Sequence, residues 1–248
     1  NKNEIIELAA NAVNPVTGEA LNLTKLDIKG LGKAKYILKE GGTLGDLYTT
    51  SNLRFNDNGY VEVDKNGNLL MTDEGEDIYL GSVFPNHNLA WRNDFSYKGI
   101  NLGVLFTARL GGVCYSATQA NLDLYGVSEA SAAARDAGGV LINGREMVDA
   151  QKWYQAIGSQ SGLPQYYLYS ATNVRLQELS LGYTFPRKWF RNKLGLTVSF
   201  VGRNLWMIYC KAPFDPEAVA STGLNYQGID YFMMPSMRNL GFNVQFQF

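Results

Sequence analysis

Residues 238–248 read R-N-L-G-F-N-V-Q-F-Q-F. Leu240, Phe242, Val244, Phe246 and Phe248 fall on one parity, and Asn239, Gly241, Asn243, Gln245 and Gln247 on the other. Side chains of a β-strand point alternately to its two faces, so this segment has one apolar face and one face that is polar or glycine. A helix would scatter both sets around its circumference. About ten residues also suffice for a tilted strand to cross the hydrocarbon layer of a bilayer.

The same parity runs upstream. From Gly99, the chain places Ile100, Leu102, Val104, Phe106, Ala108 and Leu110 on one face, with Asn101, Thr107 and Arg109 on the other. Leu179, Leu181, Tyr183 and Phe185 alternate with Glu178, Ser180, Gly182 and Thr184. Leu194, Leu196, Val198 and Phe200 lie opposite Thr197, Ser199 and Arg203. Leu89, Trp91, Phe95 and Tyr97 form a further apolar face, interrupted at Asn93. None of these faces carries a charge. That suits a lipid-facing surface, where a charge at mid-depth costs about 2–4 kcal/mol. A soluble sandwich produces the same alternation with the faces reversed, so parity alone leaves both open.

Connection lengths separate them. Short turns at Lys98-Gly99 and at 186–193 alternate with long segments at about 49–86, 115–165 and 211–237. Membrane barrels have short turns on one side and long loops on the other. If Phe248 ends on the periplasmic side, all three long segments fall outside the cell. Segment 11–29 departs from this pattern and reads as an insertion. Tyr183, Phe185, Trp189 and Phe190 surround the lower turn, while Trp206 and Tyr209 mark an upper end, as expected of two interfacial aromatic girdles. Tyr166, Tyr167 and Tyr169 are expected to join the upper girdle, with stacking on a sugar as the alternative.

Composition narrows the functions. The 22 basic and 23 acidic side chains leave no cationic footprint for nucleic acid. The chain has 15 Tyr, 12 Phe, 4 Trp and 26 Gly, which favours an all-β fold. No apolar run reaches the length of a membrane helix. Among the first residues no signal-peptide pattern is visible, so the leader is expected to have been removed or to lie further upstream. His87 is the sole histidine, so no triad or histidine-based metal cluster can be assembled, and no catalytic residue is assigned. Cys114 and Cys210 end two upward strands with another strand between them, too far apart to bridge, and are expected as free thiols. Ser128 is placed to cap a short helix over 128–135.

Three stretches carry a resemblance. Residues 174–186 read V-R-L-Q-E-L-S-L-G-Y-T-F-P; Gly202-Arg203-Asn204-Leu205 is followed by Phe214-Asp215-Pro216-Glu217; and Gly228-Ile229-Asp230-Tyr231 leads through Pro235 and Arg238 to the terminal Phe248. In order and spacing they are similar to the SusC/RagA-like TonB-dependent outer-membrane transporters, and they cover 174–248 densely. Sparser matches lie at Glu40-Gly41-Gly42, Leu44-Gly45, Tyr48 and Tyr97-Lys98-Gly99. The resemblance implies a transmembrane antiparallel β-barrel of 22 strands, of which residues 1–248 would supply a C-terminal segment of about seven. It implies active import of oligosaccharides or peptides, and partners in a SusD-like surface lipoprotein and in TonB. It also implies a plug, which is not found in these residues, and the rest of the barrel. Motif residues picked out on this basis are Arg175, Gly182, Tyr183, Pro186, Asn204, Asp215, Pro216, Glu217, Arg238 and Phe248. A passive porin and a soluble carbohydrate-binding β-sandwich remain as alternatives. No cofactor is expected; Asp64, Asn66 and Asn68 form a weak calcium-loop-like pattern, but the sixth position is Leu69 where such a loop needs glycine.

Overall fold

A computed structural model describes residues 3–9, 12–21, 23–72, 75–221, 223 and 226–248. Five strands form one antiparallel sheet: β1 (His87–Tyr97), β2 (Ile100–Leu110), β3 (Asn173–Phe185), β4 (Gly195–Cys210) and β5 (Asn239–Gln247). Their order is β5-β4-β3-β2-β1, so each strand pairs with its neighbour in sequence. Register follows parity. One row, Phe95–Leu102–Leu181–Phe200–Phe242, crosses all five strands on the apolar face. The adjacent row, Ser96–Asn101–Gly182–Ser199–Asn243, lies on the polar face. A slip of one residue anywhere would exchange the two.

Among the described residues the wall holds five strands, where about seven are expected from the sequence. The upstream strands Lys25–Leu31 and Ala34–Lys39 pair instead with Asp46–Thr49 and Ile78–Ser82 in a separate four-stranded sheet. Two strands are also shorter than parity suggests. The run 99–114 stops at Leu110 because Gly111 and Gly112, with φ of 85° and 84°, turn the chain out of the wall. Val113–Ser116 then pairs with Leu168–Ser170 and, in parallel, with Ile229–Asp230. Likewise 166–185 begins its wall portion only at Asn173.

A bulge explains why parity was legible only in part of β3. Leu176 pairs with Phe106 but Glu178 pairs with Leu105, so Gln177 is an extra residue on β3. It lets even-numbered Leu176 and odd-numbered Leu179 share the apolar face. At the same level β4 gains a residue of its own, where Asn204 adopts φ of 51°, a left-handed conformation that asparagine tolerates.

The segments read as long loops fold together into a cap on one end of the wall. Tyr36, Leu47, Val83, Tyr115, Leu163 and Ile229 belong to one buried cluster, drawn from all three segments and from the upstream strands Ala34–Lys39 and Asp46–Thr49. Three short helices, α1 (Ala117–Leu124), α2 (Glu129–Asp136) and α3 (Ala150–Gly158), complete the cap. Ser128 caps α2 by accepting from the Ser131 N–H at 3.0 Å. Gly228 is required where segment 211–237 meets Val83, since a Cβ there would lie 2.5 Å from Val83 Cγ1. Among the described residues no helix is long and apolar enough to cross a membrane.

The expected place of Tyr166, Tyr167 and Tyr169 in the upper girdle needs correction, while Trp206 and Tyr209 stay exposed on β4. Tyr167 is buried in the cap core, Tyr166 packs edge-on against Trp153, and Tyr169 packs edge-on against Phe214. Each ring has a partner inside the cap. The lower cluster forms as read, with Phe185 at 5.0 Å from Tyr183, 5.8 Å from Trp189 and 6.5 Å from Phe190.

Both cysteines are free, as expected, but not for the expected reason: Cys210 ends β4, whereas Cys114 lies in Val113–Ser116, which pairs outside the wall. Burial pushes the Cys114 thiol up to about 12, which starves it of the reactive thiolate. In the folded protein, maleimide is expected to label Cys210 first and Cys114 only after denaturation. Equal labelling rates, read by peptide mass spectrometry, would contradict the buried position of Cys114.

Candidate functional site

The polar face of the wall carries a charge ladder. Arg92 donates through Nε to Asp94 at 2.9 Å and through Nη1 to Glu178 at 3.4 Å, and Arg203 Nε donates to the other oxygen of Glu178 at 3.0 Å. The ladder passes over β2 at Gly103, where a Cβ would approach Asp94 Oδ1 to 2.9 Å and Ser180 Oγ to 2.5 Å. These pairs are solvated and add little stability. Their effect is to fix a charged, hydrophilic surface at mid-height. Nearer the short turns, uncharged groups take over: Ser96 meets Asn101 at 2.9 Å, Asn101 donates to Thr184 at 2.8 Å, and Thr184 meets Thr197 at 3.1 Å.

A second cluster lies at the cap end, and its central pair, Arg175 and Asp215, is enclosed while Glu217 reaches solvent. Arg175 is 3% exposed. Its guanidinium grips the Asp215 carboxylate in a fork, Nη1 to Oδ2 at 3.0 Å and Nη2 to Oδ1. Nε donates to Asn173 Oδ1 at 3.0 Å, and Glu217 lies 3.4 Å from Nη2. The Ser236 hydroxyl donates to Asp215, while Asn204 Nδ2 donates to Ser236 Oγ at 2.8 Å and to its carbonyl at 3.0 Å. Glu217 also accepts from Asn173 Nδ2 at 3.3 Å. This cluster fastens both ends of the 211–237 strap to β3 and β4. The strap is tied equally to the cap: Ser116 Oγ donates to Asp230 at 2.6 Å, the Phe232 N–H to Thr118 at 2.7 Å, and the Tyr36 hydroxyl to the Gln227 carbonyl.

Asp215 shows how the latch is balanced. Burial alone would raise its carboxyl, but hydrogen bonds from Arg175, Ser236 and the Glu217 N–H hold it down at about 2. A depressed carboxyl contributes stability above its unfolded value of about 3.9, and that stability is lost as pH falls through the folded value. The strap is therefore expected to stay attached from pH 8 to 4 and to loosen only towards pH 2. Limited proteolysis across this range checks it; cleavage within 211–237 appearing already at pH 5 would contradict the latch.

The motif residues divide by place. Arg175, Asn204, Asp215, buried Pro216 and Glu217 meet in the latch. Gly182 sits on the polar face, where a Cβ would come within 2.4 Å of Ser199 Oγ. Tyr183 is on the apolar face, and Pro186 precedes the 3-10 turn Arg187–Phe190. Arg238 is exposed just before β5, and Phe248, beyond its last paired residue, is 98% exposed. Sequence reasoning missed Ser236, Asn173 and the whole charge ladder. The ladder left one signal, a charged residue on the polar parity of neighbouring strands.

Asp64 closes a turn. Its Oδ1 accepts from the N–H groups of Asn66 and Asn68, both at 2.8 Å, and its Oδ2 from Asn68 Nδ2 at 2.8 Å. Those bonds hold its carboxyl below the usual range and direct its oxygens into the turn. Among the described residues no group of three or more His, Cys, Asp or Glu is placed to hold a metal ion.

With this geometry in view, comparison with known proteins is decisive for the fold. No family model matches the chain. It is 24% identical over 276 aligned residues to the TonB-dependent receptor P3 of Formosa agariphila, covering 99% of this chain and 26% of that protein. The solved RagAB peptide importer in its closed-closed state superposes with a TM-score of 0.54 at 20% identity, covering 92% of this chain and 25% of that one. Its open-open state gives 0.54 at 18% identity. Over 92% of its length the chain shares the fold of the RagAB peptide importer. The chain spans about a quarter of the length of the relatives it matches. The resemblance read from the motifs thus stands, and the relatives are described as a TonB-dependent receptor and a peptide importer.

Proposed function

We propose that this chain is wall and extracellular cap of an outer-membrane importer energised through TonB. The observation that carries the reading is the two-faced wall. An uncharged apolar face crosses five strands and stays uncovered, with Trp91 64%, Phe95 60% and Phe242 81% exposed. A continuous apolar surface of this kind suits lipid and is out of place on a soluble monomer. The opposite face bears the Arg92–Asp94–Glu178–Arg203 ladder and suits a water-filled lumen. The cap sits on the side of the long segments, which this reading places outside the cell.

The imported nutrient is a peptide or an oligosaccharide, and a SusD-like lipoprotein works over the cap. The first is supported by likeness to a protein described as a peptide importer. The motif series supports the second. No catalysis and no cofactor enter the proposal. Growth on peptides or glycans as sole nutrient tests it, comparing strains with and without the full-length gene and with and without TonB. Uptake that survives loss of TonB would identify a passive porin instead.

A further inference from the structure

The three helices of the cap line an open cavity of about 350 Å³. Its size is at the lower end of small-molecule sites. Asp123 on α1 and Arg135 on α2 both line it. Asp123 is only 5% exposed. Its carboxylate accepts from Gln119 Nε2 at 2.9 Å. Among the described residues, no basic nitrogen lies within 4.0 Å of Asp123 and no carboxylate within 4.0 Å of Arg135. Two opposite charges therefore face one cavity without pairing. A buried carboxylate with no countercharge is costly, and a cation entering from the cavity would relieve that cost.

Arg135 is held but not used up. Nη1 donates to the Gly126 carbonyl at 2.8 Å and reaches Ser131 Oγ at 3.5 Å, which fixes the side chain. Nε and Nη2 remain, the two edges of a fork that fits a carboxylate. Gly126 makes room for this arrangement, since a Cβ there would lie 2.9 Å from Arg135 Nη1. Gln151 and Gln155, one turn apart on α3, add amide donors and acceptors to the lining. Tyr154 contributes a ring to the same wall. Its hydroxyl is pushed up by burial and by the Asp123 charge. Tyr125, 75% exposed, stands at the lining as well.

We propose that this cavity binds a zwitterion of amino-acid to dipeptide size, its ammonium on Asp123, its carboxylate on Arg135 and its peptide group between the α3 glutamines. A neutral sugar uses hydroxyls and gives no reason for two separated formal charges. The physiological meaning of the site rests on the import reading; its binding chemistry does not.

Calorimetry on the purified full-length protein tests it, with L-alanyl-L-alanine, its N-acetyl derivative, its C-terminal amide and maltose as probes. The free dipeptide is expected to bind, and either blocking group to weaken it by roughly tenfold or more, since each removes a charge-assisted hydrogen bond. Asp123→Asn should abolish the penalty for acetylation and keep that for amidation; Arg135→Gln should do the reverse. The blocked ligands need no variant, so a misfolded mutant does not shield the proposal. Absence of dipeptide binding, indifference to both blocking groups, or equal competition by maltose overturns it. TonB dependence of uptake is scored separately. Binding without TonB-dependent uptake leaves the cavity standing and removes the import reading, and uptake without binding does the opposite.

Discussion

Arg175→Met is expected to release the 211–237 strap from the wall at a local cost of about 3–5 kcal/mol, the usual penalty for stripping one partner from a buried ion pair. The variant keeps a side chain of similar length but leaves Asp215 and Glu217 facing an apolar group. Asp215 is nearly enclosed, so water cannot readily replace the guanidinium. Because Ser236 donates to the same carboxylate and Asn204 in turn donates to Ser236, the damage spreads along the strap. Hydrogen exchange gives the readout. Amides of Ala220, Ile229 and Phe232, all bonded within the strap or to the cap, should lose protection by roughly two to three orders of magnitude, at about 1.4 kcal/mol per tenfold. Asp215→Leu combined with Arg175→Met should recover much of the loss, since an apolar pair needs no countercharge. Unchanged strap exchange in the single variant would show that the latch does not hold the strap.

That latch illustrates what the sequence can and cannot convey. Arg175, Asn204, Asp215, Pro216 and Glu217 stand out by motif alone, with nothing in the sequence to say that they touch. Residues 175 and 215 are forty apart, and a long loop carries no period that fixes where it returns. The wall is the opposite case. Its register follows from alternation, because each strand can bury or expose only one of two faces, and the rows through Leu181 and Gly182 follow once neighbouring strands pair in order. Legibility fails first at bulges, where Gln177 reverses parity and hides Leu176 from a strict alternation test. It fails again in the cap. There, core residues such as Tyr167 and Ile229 come from short segments whose burial depends on distant partners, so a tyrosine suited to an interface is equally suited to a core.

The largest expected effects belong to the faces of the wall. Val104 and Val198 lie on the apolar face, paired with Leu179 and with Tyr183 and Val244 respectively. Thr197 is the neighbour of Val198 in sequence but points to the polar side, meeting Thr184 at 3.1 Å. In a membrane barrel, an arginine at mid-depth of the lipid face costs about 2–4 kcal/mol, whereas the same group towards water costs little. Val104→Arg and Val198→Arg in the full-length protein should therefore sharply lower the amount of assembled barrel, and Thr197→Arg should assemble nearly like the parent. Heat-modifiable migration of outer-membrane fractions measures the assembled share directly. Inserting one residue between Asn243 and Val244 should be more damaging than either arginine, because it turns Gln245 and Gln247 to the apolar side at once and unpairs Val244 and Phe246 from Val198 and Leu196. The ordering of the four variants discriminates the membrane barrel from a soluble sandwich. A sandwich would bury the same valines in protein and would leave the Thr197 face in bulk water, so its variants would be sorted by solubility and not by membrane assembly. If all three arginine variants reach the outer membrane equally, the assignment of faces is wrong, and with it the placement of the charge ladder in a lumen.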